Sequence, residues 1–461
     1  MDLSLCFTSL TLVALAAQED RLTVHAAPRP LAREAVVEDW PGFLGPRRDG
    51  HVRERPLDLR FRREGPKLLW ELRTGEGFAS PVVAGQTLVF THRVEDEARI
   101  EARHAETGAL LWEHALPCSY GGKYIEDSGP RSTPQIVEDR VFVHGVEGEL
   151  MAFELATGEL LWERNTTKEY RRDHGFFGVV SSPLAVGDHL IQMIGAREGP
   201  TVLCLDLATG ETVWEAGDTW GASCSSPVLA ELGGEPCVLV LAGGDSRPPV
   251  GGLFVLDLAT GAVRARVPFR SNLYASVSGA TPLVVGERIV LSSAYGVGTH
   301  AFDLVDGRLE RAWENGIELQ FSSPLLADGV VYAIDGVSQR SGALVAVDPA
   351  TGDETWRTSL SFEEVLEGKT GEEREFTFSV GEGSFLVVDD LLLALGDYGH
   401  LAVLDPGRKG ARVRTWASLF HAPETWTPPV VSHGLLYVCQ NRPGRSGEGQ
   451  PRLLCYDLRG R

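Results

Sequence analysis

Six side chains on the connecting segments of this chain carry groups from which a binding site can be built. They are the guanidiniums of Arg131 and Arg171, the imidazole of His174, the phenols of Tyr274 and Tyr295, and the indole of Trp426. Cationic, hydrogen-bonding and aromatic groups around one mouth suit recognition. They do not by themselves pair a nucleophile with a base. No Gly-x-Ser-x-Gly elbow, His-Glu-x-x-His run or P-loop occurs. Tyr295-Gly-Val-Gly298 is only a fragment of a Gly-rich loop. The 12 His are scattered singly, with no second ligand at metal spacing. No catalytic residue and no metal ligand is assigned.

A repeat is what must position the six. Met151-Ala-Phe-Glu-Leu-Ala-Thr-Gly-Glu-Leu-Leu-Trp-Glu163 returns as Leu203-Cys-Leu-Asp-Leu-Ala-Thr-Gly-Glu-Thr-Val-Trp-Glu215. Its anchors are His104, Glu154, Asp206, Asp257, Asp303, Asp348, Asp405 and Asp457, spaced 45 to 57 residues apart. Each unit holds four short runs rich in β-branched and aromatic residues, divided by Gly and Pro. An Asp oxygen can accept backbone N–H bonds two or three residues on, and Gly supplies the positive φ of the tight turn. The Trp four residues later is a large apolar plate that can pack on the next unit.

Four-stranded units of this length, repeated radially, predict an all-β, eight-bladed β-propeller of antiparallel blades. First strands are expected near Pro81, Pro134, Pro183, Pro227, Pro282, Pro324, Phe385 and Pro429. The last unit ends at Asp457-Leu-Arg-Gly-Arg461 without a fourth strand. A spare one, Lys67-Leu-Leu-Trp-Glu-Leu72, precedes the first unit, so the N-terminal strand is expected to complete blade eight and close the ring. The repeat decays at Ala265, where a Trp belongs, and at the displaced Trp313 and Trp416.

In such a disc the fourth-to-first and second-to-third connections share one face. The long connections fall in these classes and carry all six candidates, although for any one of them a solvated turn is the ordinary alternative. Phe362 to Phe376 carries six Glu between blades six and seven. A solvated loop is the first reading of this charge run, and a flap over the mouth the second.

Residues 1–17 read as a signal peptide, with an apolar core and an Ala14-x-Ala16 site but no positive start. Residues 18–66 form an extended segment with no dominant strand or helix pattern, in which Trp40 and Phe43 are expected to pack on the propeller of residues 67–461. Lys+Arg of 43 against Asp+Glu of 64 gives −21, which repels phosphate backbones and argues against nucleic acid. No segment after the leader is long and apolar enough to span a membrane. Most of the six cysteines beyond the leader fall in strands and are expected to stay thiols; Cys439 and Cys455 are placed about three residues out of register.

The pattern Ala/Cys-x-Asp-x-x-Thr-Gly-x-x-x-Trp, over residues 67–461, resembles the repeat of quinoprotein-type propellers. These include the pyrroloquinoline quinone (PQQ) dehydrogenases and the BamB-like lipoprotein propellers of outer-membrane β-barrel assembly. Trp40-Pro-Gly-Phe-Leu-Gly-Pro-Arg-Arg-Asp-Gly50, Gly129-Pro-Arg-Ser-Thr-Pro134, Ser293-Ala-Tyr-Gly-Val-Gly298 and Trp426-Thr-Pro-Pro429 look like a bacterial PQQ-binding-like β-propeller repeat family.

For the dehydrogenase branch, the resemblance implies PQQ stacked on a Trp, Ca²⁺ on oxygen ligands and an Asp base, often beneath an adjacent Cys-Cys disulfide. This chain has no Cys-Cys pair and no Asn and Asp neighbours that match the metal and base motif. Trp220 and Trp426 lie outside the docking motif, but nothing assigns either to a cofactor floor. The expected function is an exported, non-catalytic scaffold, without cofactor, that binds a protein, peptide or envelope ligand on its loop face. The alternative is a PQQ- and Ca²⁺-dependent alcohol or sugar oxidoreductase. Cys6 is too early for a lipoprotein cysteine.

Overall fold

The computed structural model describes residues 20–460 other than 123–127, 173–174, 197, 245, 339–340, 368–370 and 445–448. The expected leader, residues 1–17, lies outside the described residues.

Blade three shows how the repeat folds. Leu184–Val186, His189–Met193, Val202–Asp206 and Thr212–Ala216 pair antiparallel in chain order. Gly187 turns the first hairpin at φ 55°. Asp206 Oδ1 accepts the N–H groups of Ala208 (3.0 Å) and Thr209 (2.9 Å), closing the third turn. Asp257 does the same for Ala259 and Thr260 in blade four. Eight such sheets form the propeller. Their first strands start at Val82, Gln135, Leu184, Val228, Leu283, Leu325, Ser384 and Val430, each next to the expected residue.

The ring closes as the spare strand required. Lys67–Arg73 pairs antiparallel with Arg452–Asp457, Trp70 opposite Cys455. The N-terminal segment adds two short strands of its own, which its sequence did not announce. Leu22–Val24 pairs with the closing strand on the outer edge of blade eight. His51–Val52 runs parallel to Ser384–Val388, the first strand of blade seven.

Adjacent blades interlock through the Trp and the Thr-Gly turn. The indole N–H groups of Trp70, Trp112, Trp162, Trp214 and Trp313 donate to the carbonyls of Ala105, Leu155, Leu207, Leu258 and Pro349 in the following blade. Trp313 docks although it comes late in sequence, because this hairpin runs on through Asp303–Glu310 and Leu304–Leu309 to Val305–Arg308, which takes up the extra residues and keeps Trp313 opposite Ala301, as Trp214 stands opposite Cys204. At Ala265 the plate is missing, and Phe269 edge-on to Phe302 (6.4 Å) fills that seam.

The Glu-rich insertion is a β-hairpin, not a solvated loop. Ser361–Glu367 pairs with Glu373–Ser379, Phe362 opposite Phe378. The Phe residues at alternate positions bury one face, and this period-2 pattern outweighs the charge run. Cys439 stands opposite Leu453 and Cys455 opposite Tyr437, an offset of two residues rather than three.

Candidate functional site

Every blade reaches the axis through the same short run. Three residues before the start of each first strand's Pro, or its Phe385 equivalent, stand Phe78, Arg131, Val180, Cys224, Gly279, Phe321, Glu382 and Trp426. Radial repetition brings these positions together, and all but Glu382 line one axial cavity. One residue before the Pro is usually a Ser or Thr, which stitches the blades. Thr133 Oγ1 accepts the Ser80 N–H (3.3 Å), Ser182 Oγ that of Thr133 (3.0 Å), Ser226 Oγ that of Ser182 (3.0 Å) and Ser323 Oγ that of Thr281 (3.0 Å). These hydroxyls satisfy buried amides at the crowded centre of the disc.

The N-terminal segment floors this axis. Trp40 exchanges both backbone bonds with Val83 of blade one (2.9 Å each). Gln135 of blade two donates to Pro41 O (3.1 Å), and Arg48 donates to Pro183 O at the entry to blade three (2.8 Å). Gly50 O accepts the Val387 N–H of blade seven (2.9 Å). Gly85, in the first hairpin of blade one, donates to Asp39 (2.8 Å), which puts the segment on the face opposite the long loops. Phe43 and Leu44 reach the axial cavity from that side.

The open face has two joined cavities. The axial one, about 120 Å³, is walled by packed rings: Phe78 stacked on Trp426 at 5.3 Å, and Phe321 tilted against Trp426 at 4.5 Å. Arg131 lies 5.7 Å from the ring centres of both Phe78 and Phe177, and donates to Gly129 O and Phe177 O. The side cavity, about 420 Å³, is polar. Arg172, Arg247 and the hydroxyls of Thr219, Ser223, Ser246, Ser276 and Ser278 line it. Phe177, Val180 and Cys224 belong to both.

Residues 60–216 and 198–460 match the family described as outer membrane protein assembly factor BamB. The chain belongs to that family. Its relatives are distant. BamB of Xanthomonas campestris pv. campestris is 33% identical over 95 residues, 21% of this chain and 23% of the relative. BamB of Escherichia coli K12 is 25% identical over 135 residues, 29% of this chain and 31% of the relative. BamB of Kangiella koreensis is 25% identical over 199 residues, 43% and 44%. The chain thus spans less than half the length of these BamB proteins. Among solved structures, BamB from Moraxella catarrhalis superposes with a TM-score of 0.52 at 15% identity, covering 86% of this chain and 98% of that one. A quinohemoprotein alcohol dehydrogenase from Comamonas testosteroni gives 0.64 at 13%, covering 92% and 81%. At such identities both likenesses speak for the propeller fold alone.

In this BamB-family chain the six expected site residues fare differently. Arg131 and Trp426 line the axial cavity. Tyr274 stands beside the side cavity, with Arg247 4.0 Å above its ring and Phe176 edge-on at 5.1 Å. Tyr295 accepts a hydrogen bond from Gln320 (2.9 Å), and burial pushes its phenol up. Arg171 is exposed, with φ 50°, and lines neither cavity. His174 lies outside the described residues.

The sequence reading missed an acid pair beside Trp426. Asp397 is fully buried, and its Oδ2 accepts the Glu382 N–H at 2.9 Å. Burial first, then the charges of Glu382 and Glu424, push Asp397 up to about 8. Burial and Glu424 push Glu382 up to about 7, and the Trp426 indole pulls both down. Glu424 itself is paired with Arg442 (2.6 Å). The pair therefore holds protons near neutrality. Glu382 was findable from its place three residues before Phe385; for Asp397 no local signal exists.

Proposed function

We propose that this BamB-family chain is an exported, non-catalytic scaffold whose loop face holds a segment of a partner protein or peptide, or an envelope ligand of like polarity. One observation carries the reading: a well floored by the N-terminal segment lies among the long loops, where packed aromatics adjoin a roomier cavity of arginines and hydroxyls. Rings on a rigid frame bind at low entropic cost, and hydroxyls and guanidiniums supply orientation. Export rests on the leader-like residues 1–17 and on relatives described as outer membrane protein assembly factors. No helix among the described residues is long and apolar enough to cross a membrane.

The acid pair favours a second reading, a PQQ- and Ca²⁺-dependent dehydrogenase, since carboxylate oxygens are what Ca²⁺ takes. The axial donor set does not fit PQQ. Arg131 is the only charged side chain among its described lining residues and already bonds two carbonyls, against three carboxylates on the cofactor. No reaction step is assigned.

A photo-crosslinking residue at Leu273, exposed next to Tyr274, tests the scaffold. Crosslinks to one envelope component, lost in Trp426→Ala and Arg247→Glu, support it. Saturable binding of PQQ with Ca²⁺ at one site per chain, with dye reduction on alcohols or sugars, would overturn it.

A further inference from the structure

The Glu-rich hairpin brings a carboxylate to two imidazoles. Glu364 lies in its first strand, His400 begins the third strand of blade seven, and His421 follows the fourth. One ligand atom from each lies within 4.8 Å of the other two. Glu364 Oε2 stands 3.7 Å from His400 Nε2 and contacts His421 Nε2. Ser418 Oγ lies 3.0 Å from that same His421 nitrogen.

His400 is the independent observation. It is 0% exposed, yet neither ring nitrogen has a hydrogen-bond partner. Buried polar groups are nearly always bonded, so an orphaned imidazole beside a carboxylate calls for a missing partner. Phe362 stacks on the ring at 4.8 Å and 2°, and Phe378 and Trp416 close other sides.

We propose that Glu364, His400 and His421 form a site for one divalent transition-metal ion of the Zn²⁺ type, fastening the hairpin to blade seven. Two imidazoles and a carboxylate are a Zn²⁺ donor set, with a fourth place left for water or Ser418. Ca²⁺ and Mg²⁺ take oxygen ligands instead. With bonds of about 2.0–2.2 Å, a tetrahedron has edges of roughly 3.3–3.6 Å. The pocket reaches this by opening the Glu364–His421 contact and drawing His400, 3.7 Å from Glu364, inward. His421, 31% exposed at its side chain, gives the ion a way in. The proposal is independent of what the mouth binds.

The test uses the full, tag-free chain, stripped with chelator and titrated by calorimetry with ZnCl₂, and with Co²⁺ as an optical probe. Expected are one ion per chain, visible d–d bands of four-coordinate Co²⁺, and a rise in Tm reversed by EDTA. Glu364→Gln and His421→Ala, both at partly exposed positions, should each weaken Zn²⁺ binding by more than about tenfold with circular dichroism unchanged. No saturable heat, stoichiometric binding that survives the double variant, or a preference for Ca²⁺ would overturn the site.

Discussion

The indole of Trp162, in blade two, lies so close to Gly210 of blade three that a Cβ there would stand 2.7 Å from the ring. The same indole donates its N–H to Leu207 O at 3.1 Å. Gly158 on Trp112, Gly261 on Trp214 and Gly352 on Trp313 repeat the arrangement. The Thr-Gly glycine thus meets two demands: a left-handed φ and a face flat enough to seat the preceding blade's plate.

Gly307 separates the two demands. Its φ of 73° matches the 71° of Gly210, but a Cβ there would meet nothing within 4 Å. Both Gly→Ala changes should lose about 1 kcal/mol to backbone strain. Gly210→Ala should lose roughly 1–3 kcal/mol more from the clash. Urea unfolding of the two variants decides it; equal losses would refute the seating role.

Asp397 and Glu382 predict the shape of the pH–stability curve. Their folded pKa values, about 8 and about 7, lie above those of unfolded carboxyls. Between the unfolded and folded values the folded state keeps protons that the unfolded state has released, so stability falls as pH rises from about 4 to about 8. Asp397→Asn should flatten the slope, leaving stability similar at pH 5 and, on the order of 2 kcal/mol, higher than the parent's at pH 9. Thermal melts across this range check it. A parent curve that rises with pH through this window, and is unaltered by the variant, would sink the assignment.

Glu54 ties the N-terminal segment to blade eight. Its carboxylate, 1% exposed, accepts the N–H groups of Glu38 (2.7 Å), His433 (2.6 Å) and Gly434 (2.7 Å). Glu54→Ala strands these buried donors and should cost about 3 kcal/mol or more. Earlier proteolysis within residues 20–66 should accompany the loss. Parent-like melting would show that the tether is idle.

Thiol labelling reports on the mouth. Burial pushes Cys204 up to about 12 and Cys237 up to about 11, which keeps them unreactive as thiols. Cys224 is half-buried and lines both cavities, so it should label first in the native state, and a ligand in the mouth should protect it. Simultaneous labelling of all six described cysteines would mean that the blades open as readily as the mouth.

The sequence by itself determined the architecture, because blade signals are local. A turn needs its Asp, Thr and Gly within five residues, and a strand shows its β-branched run wherever it lies. Hence the period predicted eight first strands to within a residue, and Lys67–Leu72 was recognisable as the strand that completes Arg452–Asp457. Of the mouth, Arg131 and Trp426 were legible from loop class, while Arg171 was taken for a neighbour because loop class says nothing about direction. Only the tertiary structure put Phe321 on Trp426, Asp397 under Glu382, and Glu364 between two histidines. The physical reason is rotation about one axis. It sets residues from distant repeats side by side, while the phase of each strand, which a one-residue slip reverses, decides which side chains face the axis and which face a seam.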